Sequence, residues 1–257
     1  MLELKNISKV YSPGSVNENC LFRHFSLQIP DGQFVSVVGS NGSGKTSMLN
    51  MLCGSIPVDE GQILISGQNM TKVQDFKRYR KIGRVYQNPA MGTCPEMTLL
   101  ENMSMADHKG KSFGLSLGTQ KRRIDFYRGE LSRLDLGLED KLHVPVGALS
   151  GGQRQALALL MSTLTPIEFL ILDEHTAALD PKTAEIIMEL TGKIVAEKKL
   201  TTLMVTHNLR YALEYGDRLL MLHDGNIVLD KAGEDKKALA LADVLALFNE
   251  ISIECGN

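Results

Sequence analysis

The chain has 257 residues, of which 43% are apolar and 23% charged, enough to bury a full hydrophobic core. Its formal net charge is -2, so no large positive field is available for wrapping a nucleic-acid backbone, and we expect no nucleic-acid partner. The four cysteines lack the paired spacing of a metal site or a disulfide framework, which favours a reducing cytosol.

The N-terminal part predicts an antiparallel β region between Leu2 and Ile29, because apolar and polar residues tend to alternate there. A loop rich in Pro, Gly and Asn interrupts it at Ser12–Asn19. The first residues alternate too strongly for a secretory signal. All apolar runs in the chain are far shorter than the roughly 18 residues of a membrane-spanning helix, so another chain would have to form any path across a membrane.

The segment GSNGSGKT matches the phosphate-binding loop known as Walker A, G-x-x-x-x-G-K-[ST]. It follows an apolar run at Phe34–Gly39, which predicts a buried strand, and precedes a predicted helix. Backbone amides in such a loop point at the β-phosphate, Lys45 reaches the β and γ phosphates, and the Thr46 hydroxyl ligates Mg²⁺. This motif predicts binding of a nucleoside triphosphate but leaves kinases, GTPases, helicases and transport ATPases open.

The middle of the chain, from Gln87 to Leu149, is Met-rich and charged and predicts an inserted helical subdomain. Within it, the Gly, Ser and Lys-rich stretch Lys109–Gln120 predicts a flexible connection. We therefore expect one domain at 1–257, with a core and β subdomain at 1–86 and 150–257 and a helical subdomain at 87–149.

The second half alternates predicted strands and helices. Apolar runs at Phe169–Asp173 and Thr202–His207 predict further strands of a parallel sheet, so the fold class is α/β with a P-loop NTPase core. Asp224-Gly225 between two apolar runs predicts a β-hairpin. The tail from Lys236 to Asn249 predicts a terminal helix.

A second set of motifs narrows the function. The segment LSGGQ precedes an apolar helix, and FLILDEHTAALD follows about 20 residues later. In order along the chain, these motifs and the phosphate loop resemble the ABC ATPase family, and the resemblance covers nearly the whole chain. It implies an ATPase that uses ATP and Mg²⁺ and works as one half of a dimer in which two ATP molecules are held between two chains.

The resemblance also implies roles for individual residues. Glu174 would polarise the attacking water, His207 would contact the γ-phosphate, Gln87 would sense Mg²⁺ and the water, and Lys45 would bind the phosphates. The residues expected to hold Mg²⁺ are Thr46, Gln87 and Asp173. The residues expected to contact ATP are Tyr11, Gly39, Ser40, Asn41, Gly42, Ser43, Gly44, Lys45, Thr46, Ser47, Ser150, Gly151, Gly152, Gln153 and Asp180.

One position departs from the family pattern, because His175 stands where Pro usually follows the catalytic Glu. This substitution puts the local loop geometry in doubt. We expect His175 to be a loop residue and no second base, so that His175→Pro would keep most of the ATPase activity.

Partners and location follow from the same resemblance. It implies a second ATPase subunit, a homodimer being one form and a sister subunit the other, and an integral-membrane permease that holds the chain at the cytoplasmic face of the cell membrane. The permease would dock beside Gln87, on a surface that includes Pro89–Met97 and the following LLENM segment.

The sequence from Asp173 to Val195 resembles ATPases of bacterial uptake systems for small solutes, and among these amino-acid importers, aromatic amino acids included. An extracytoplasmic solute-binding protein would then be an indirect partner. Three alternatives stay open: a soluble ABC ATPase of the iron–sulfur cluster assembly type, the ATPase of an exporter, and a regulatory module without turnover.

Overall fold

The computed structural model describes residues 1–111, 118–119 and 121–254. The strands are β1 Leu2–Tyr11, β2 Asn19–Ile29, β3 Phe34–Gly39, β4 Glu60–Ile65, β5 Gln68–Asn69, β6 Ile82–Val85, β7 Phe169–Asp173, β8 Thr201–Val205, β9 Arg218–His223 and β10 Asn226–Ala232. The helices are α1 Lys45–Cys53, α2 Asp75–Arg78, α3 Leu99–Asp107, α4 Ile124–Ser132, α5 Gly151–Ser162, α6 Pro181–Lys198, α7 Leu209–Glu214, α8 Gly233–Lys237 and α9 Leu241–Glu254.

The larger sheet has the strand order β10-β9-β3-β8-β7-β6, and only β10 runs antiparallel to its neighbour. The three predicted buried strands are therefore confirmed, and they lie side by side in the centre of this sheet. β8 ends at Val205, so Thr206 and His207 lie just beyond its carboxyl end, beside the end of β7. This edge is where α/β folds bind their ligands.

The predicted antiparallel region is also confirmed, as a second sheet of order β2-β1-β4-β5. Helix α1 lies between the two sheets. Its residues Met48, Leu49 and Leu52 belong to one apolar cluster with Ile7 of β1 and Val37 of β3, and all five are fully buried. Because α1 is buried against both sheets, the helix that begins at the phosphate loop is held in a fixed position.

The described part of residues 87–149 contains α3, α4 and three short 3₁₀ turns but no strand of either sheet. Its apolar residues Met103, Tyr127 and Leu131 share a core cluster with Leu157 of α5 and Leu172 of β7. The helical region therefore packs on the sheet through α5. Most of the stretch that we predicted as a flexible connection, residues 112–117 and 120, lies outside the described residues.

The hairpin prediction is confirmed by β9 and β10. Asp224 and Gly225 have φ angles of 43° and 70°, the pair of positive values that a type I′ turn requires. The prediction of one terminal helix from Lys236 is wrong at its start, because Lys236 belongs to the short helix α8 and α9 begins at Leu241. The Lys236 ammonium donates to the carbonyls of Tyr215 and Gly216 at 2.6 Å each, which ties α8 to the end of α7.

No helix in the part of the chain that the structure describes combines the length and apolar character needed to span a membrane.

Candidate functional site

The phosphate loop connects β3 to α1, and two of its glycines have no room for a side chain. Gly39 has φ 156°, and a Cβ atom there would lie 2.2 Å from the carbonyl oxygen of Leu222. Gly44 has φ 101°, and its Cβ would lie 2.6 Å from the Phe22 ring. Both conformations favour glycine on backbone grounds as well. β9 and β2 therefore pack so closely against the loop that neither glycine position has room for a side chain.

Lys45 is held inside this loop. Its ammonium donates to the Gly39 carbonyl at 2.7 Å, the Ser40 carbonyl at 2.8 Å and the Ser43 hydroxyl at 3.4 Å. The residue is 6% exposed. Burial lowers the pKa of Lys45, and the negative charge of Glu174 partly offsets that effect. The cation thus faces the position where the loop amides would receive phosphate.

The loop opens on a cleft that also contains the two predicted groups from distant strands. Residues 41–47 line it together with Glu174 and His207. The Glu174 Oε1 and His207 Nε2 atoms are 2.7 Å apart. Glu174 has a positive φ of 48°, and its amide donates to the Val205 carbonyl at 2.9 Å, which anchors this conformation to the neighbouring strand. A carboxylate and an imidazole therefore converge on the phosphate loop, as hydrolysis of a bound triphosphate requires.

Asp173 occupies the end of β7 and has a partner that the sequence analysis missed. The Arg84 Nη2 group donates to the Asp173 carboxylate at 2.7 Å, and Nη1 donates to the Asn50 side chain at 2.9 Å. Burial is the largest influence on the pKa of Arg84 and would lower it, but the hydrogen bond and charge of Asp173, with contributions from Cys53 and Tyr86, together raise that pKa above the usual value. An arginine inside the strand segment IGRV was the available signal, since charges in buried strands need partners.

The predicted Mg²⁺ ligands are chemically suited to the ion. Thr46, Gln87 and Asp173 offer hydroxyl, amide and carboxylate oxygens, the hard donors that Mg²⁺ prefers. Among the described residues no group of three His, Cys, Asp or Glu side chains could hold a metal, so these donors and the nucleotide's phosphates would have to suffice. When bound, the ion would offset charge on the phosphates. Gln87 is exposed in the bend after β6 and does not line the cleft.

The predicted adenine platform lies at the other end of the loop. The Tyr11 hydroxyl donates to Ser47 Oγ at 3.1 Å, which links the end of β1 to the first turn of α1. The Lys9 ammonium lies 5.6 Å from the centre of the Tyr11 ring and is paired with Asp59 at 2.8 Å. The ring is therefore held beside the phosphate loop, with one aromatic face in a cationic environment.

The LSGGQ segment caps α5. Ser150 Oγ accepts from the Gln153 amide at 3.2 Å, and the Gln153 side chain accepts from the Ser150 amide at 3.3 Å, forming a capping box. Gly152 faces the first turn of α6, where a Cβ would lie 2.3 Å from Thr183 Cγ2, and Asp180 caps that helix. Ser150, Gly152, Gln153 and Asp180 are not among the described residues that line the cleft.

His175 follows Glu174 in a turn and is 2% exposed. Its Nε2 lies 3.0 Å from the Thr191 hydroxyl, which itself donates to the Ile187 carbonyl at 2.7 Å. Because the hydroxyl proton is used there, His175 must donate, which assigns its proton to Nε2. Burial lowers the pKa of His175 to about 4. The residue is thus a neutral anchor between the turn and α6.

A family model described as "ABC transporter" matches residues 22–177. The chain is 46% identical over 96% of its length to the "Tyrosine transport ATP-binding protein" of Clostridioides difficile, 98% of which is covered. It is 31% identical to a "Phosphonates import ATP-binding protein" of Lactobacillus delbrueckii subsp. bulgaricus, with 91% of each chain covered.

Solved structures are similar as well. A dimeric ATP-binding cassette in a post-hydrolysis state with ADP and Pi bound has a TM-score of 0.76 and 30% identity, and the match covers 90% of this chain and 98% of that one. A cassette of an ABC transporter in its ADP conformation has a TM-score of 0.81 with full coverage of this chain and 99% of that one, and at 23% identity it supports the fold alone.

Proposed function

The chain belongs to the ABC transporter family as an ATP-binding and ATP-hydrolysing subunit, and from this premise we propose that it powers uptake of an amino acid, tyrosine or a similar aromatic one, through a separate permease. The carrying observation is the 46% identity over 96% of the chain to a protein named for tyrosine transport. The relative at 31% identity is named for import of phosphonates, a different class of solute. It therefore supports import in general and not the choice of an amino acid. ATP hydrolysis itself is the activity of the family.

The proposed chemistry uses the cleft residues. Lys45 and the loop amides hold the β and γ phosphates, Glu174 polarises the attacking water, and His207 contacts the γ-phosphate while its hydrogen bond to Glu174 aligns the carboxylate. Tyr11 stacks on adenine. Thr46, Gln87 and Asp173 hold Mg²⁺ in this proposal.

We also propose that the working form is a dimer. The amino end of α5 is an anion-binding device, yet Ser150 and Gly152 do not line the cleft of their own chain among the described residues. The γ-phosphate bound by a second copy, or by a sister subunit, would satisfy it. The dimeric state of the similar cassette with ADP and Pi supports this arrangement.

The proposed permease site is a groove of about 390 Å³, lined in part by Tyr86, the residue before Gln87. Its wall includes Tyr86 and Arg84 from the sheet side and Met105 and Lys109 from the helical region. One part of the predicted surface is wrong: in the LLENM segment Leu99, Leu100 and Met103 are buried in the core, because that face of α3 packs on α5, and the groove is lined one turn later. A short apolar helix of a permease is the proposed occupant of this groove.

Two further elements complete the proposal. We propose that the chain divides into a core with β subdomain at 1–86 and 150–257 and a helical subdomain at 87–149, which packs on α5 of the core. Docking on the permease holds the chain at the cytoplasmic face of the membrane, with a solute-binding protein as an indirect partner.

An uptake assay tests the proposed solute. Cells lacking the gene would be complemented with the natural chain, with Lys45→Ala, or with Lys5→Ala, whose side chain is half exposed and is not among the described residues that line the cleft. We expect tyrosine uptake to be lost in the null and Lys45→Ala cells and kept in the others, with phenylalanine and tryptophan competing. Unchanged uptake of all aromatic amino acids in the null strain would contradict the proposed solute.

Co-purification tests the partner. Glu174→Gln would be tagged in its native cell, and membranes would be solubilised with ATP and Mg²⁺ to hold the closed complex. Recovery of a polytopic permease, together with a solute-binding protein, supports import. Recovery of soluble assembly proteins alone would favour the iron–sulfur alternative, and a permease with cellular retention of its solute in the null strain would favour export.

A further inference from the structure

Arg84 connects three parts of the site through one buried guanidinium. Its side chain is 6% exposed and lies at the centre of β6. One amino group binds Asp173 at 2.7 Å and the other binds Asn50 on α1 at 2.9 Å. The guanidinium carbon lies 4.6 Å from the centre of the Tyr86 ring. Tyr86 is the residue directly before Gln87 in the sequence.

This arrangement restrains Asp173 more tightly than a single ion pair would. The planar guanidinium uses separate groups for Asp173 and Asn50, and the Tyr86 ring limits its rotation. Asn50 lies in α1, the helix that begins with Lys45 of the phosphate loop. The contact between Arg84 and Asn50 therefore fixes the Asp173 carboxylate relative to the phosphate loop. Arg84 binds Oδ2 of Asp173 and leaves Oδ1 to other partners, such as a water molecule or an ion.

We propose that Arg84 is a positioning residue for ATP hydrolysis, which fixes the Asp173 carboxylate relative to the phosphate loop through its contacts with Asn50 and Tyr86. The inference rests on the proposed role of Asp173 in the site. Arg84 is not among the described residues that line the cleft, so we expect its effect to be transmitted through Asp173 and not through nucleotide binding.

Steady-state ATPase kinetics of Arg84→Met and Arg84→Lys test the inference. We expect Arg84→Met to lower kcat by about 10- to 100-fold, since small misplacements of catalytic groups have effects of that size. KM for ATP should change less than about threefold, because binding by the phosphate loop is untouched. Arg84→Lys should recover part of kcat, since its ammonium can still pair with Asp173 but cannot also reach Asn50.

Arg78→Lys is the matched control. Arg78 is another buried arginine of the same region, 3% exposed, and it donates to backbone carbonyls, including those of Met51 and Leu52 in α1. The Arg78→Lys variant should have a lower melting temperature, while its kcat per folded molecule should stay within about twofold of the natural value. An equal loss of kcat in Arg78→Lys and Arg84→Lys would mean that Arg84 only stabilises the sheet and would overturn the inference.

A double-mutant cycle with Asp173→Asn separates the two possible failures. In unfolding experiments without nucleotide or metal, Arg84→Met and Asp173→Asn should be strongly non-additive if the pair exists as described. In the kinetic experiment, adding Arg84→Met to the Asp173→Asn variant should lower kcat little further. Full activity of Asp173→Asn would refute the proposed role of Asp173, whereas an inactive Asp173→Asn beside a fully active Arg84→Met would refute only the inference about Arg84.

Arg84→Met leaves a buried carboxylate without its partner and could fail to fold. Asn50→Ala then serves instead, because it keeps the ion pair and removes only the second anchor. We expect kcat to fall about three- to tenfold with KM unchanged. Natural kcat in a folded Asn50→Ala, together with natural kcat in Arg84→Lys, would overturn the inference.

Discussion

Lys45 and Glu174 show how single residues set the electrostatics of the cleft. In the structure the ammonium is satisfied by the carbonyls of its own loop, and the carboxylate is satisfied by His207 at 2.7 Å. Both groups are therefore held in place by contacts within the chain itself. Preorganised charges at a reaction centre contribute more to catalysis than charges that must move into place.

Lys45→Ala should lower kcat/KM for ATP by about 100-fold or more, because the phosphates lose a buried cation and the loop loses an internal tie. The measurement is phosphate release as a function of ATP concentration, with circular dichroism to verify the fold. Lys5→Ala removes a half-exposed lysine and should behave as the natural chain does. Natural affinity and rate in Lys45→Ala would refute the phosphate-loop assignment.

His175→Gln should keep ATPase activity within about threefold of the natural value, a difference of under 1 kcal/mol in the barrier. The glutamine amide can still donate to Thr191, but it offers no base. His175→Pro is the harsher variant, since proline also restricts the backbone of Glu174, whose φ is 48°. We still expect less than about a tenfold loss there, and a loss of a hundredfold or more in the glutamine variant would make His175 a chemical participant.

At the scale of elements, a buried carboxylate joins the ends of α3 and α4. Asp107 lies at the end of α3 and accepts from Arg123 at 2.8 Å, Lys111 at 3.2 Å and the Tyr127 hydroxyl at 3.0 Å. Its side chain is 8% exposed. Three donors on one buried carboxylate satisfy it fully, so the helical region has a polar anchor in addition to its apolar packing on α5.

Asp107→Asn should destabilise the protein by about 2 kcal/mol, because the buried carboxylate and its charge-assisted hydrogen bonds from Arg123 and Lys111 are lost. For a chain of this size that corresponds to a fall in melting temperature of roughly 5 °C. Calorimetry or thermal circular dichroism provides the measurement. Glu234→Gln breaks the exposed Glu234–Lys237 pair and should leave the melting temperature unchanged, so an equal effect of both variants would contradict the anchor.

At the scale of the whole molecule, the two helix ends that we propose as anion-binding sites lie in separate places. The amino end of α1 opens on the cleft, whereas the amino end of α5 is exposed at Ser150 and Gly151. Two copies arranged about a twofold axis would bring each α5 end to the other copy's cleft. Nucleotide would then be part of the interface, so its binding and hydrolysis would control association.

Glu174→Gln should form a stable dimer when ATP is added and remain a 28.3 kDa monomer without it, since nucleotide binds but is hydrolysed very slowly. Analytical ultracentrifugation with and without ATP measures this. Adding Gly151→Asp should abolish the dimer by placing a negative charge against the γ-phosphate. Gly129→Asp is the matched control on an open, exposed face of α4 and should dimerise normally. Fast turnover in Glu174→Gln would remove Glu174 from its proposed role.

The sequence by itself determined what local geometry dictates: the phosphate loop between β3 and α1, the buried strands, the turn at Asp224, and the helix that follows LSGGQ. Each depends on backbone preferences or periodicity over a few residues, so a short window suffices. The break between α8 and α9 was not predicted from the sequence, because it depends on the hydrogen bond from Lys236 to the Tyr215 carbonyl. These two residues are too far apart in the sequence to fall within one such window.

Only the tertiary structure decided which groups meet. Glu174 reaches His207 because β7 and β8 pair in a register that aligns Asp173 with Val205, and strand register depends on side chains across the whole sheet. The Arg84–Asp173 pair comes from two strands separated by the entire helical region. The burial of His175 under α6 likewise depends on packing between segments distant in sequence, where contacts and desolvation are set together.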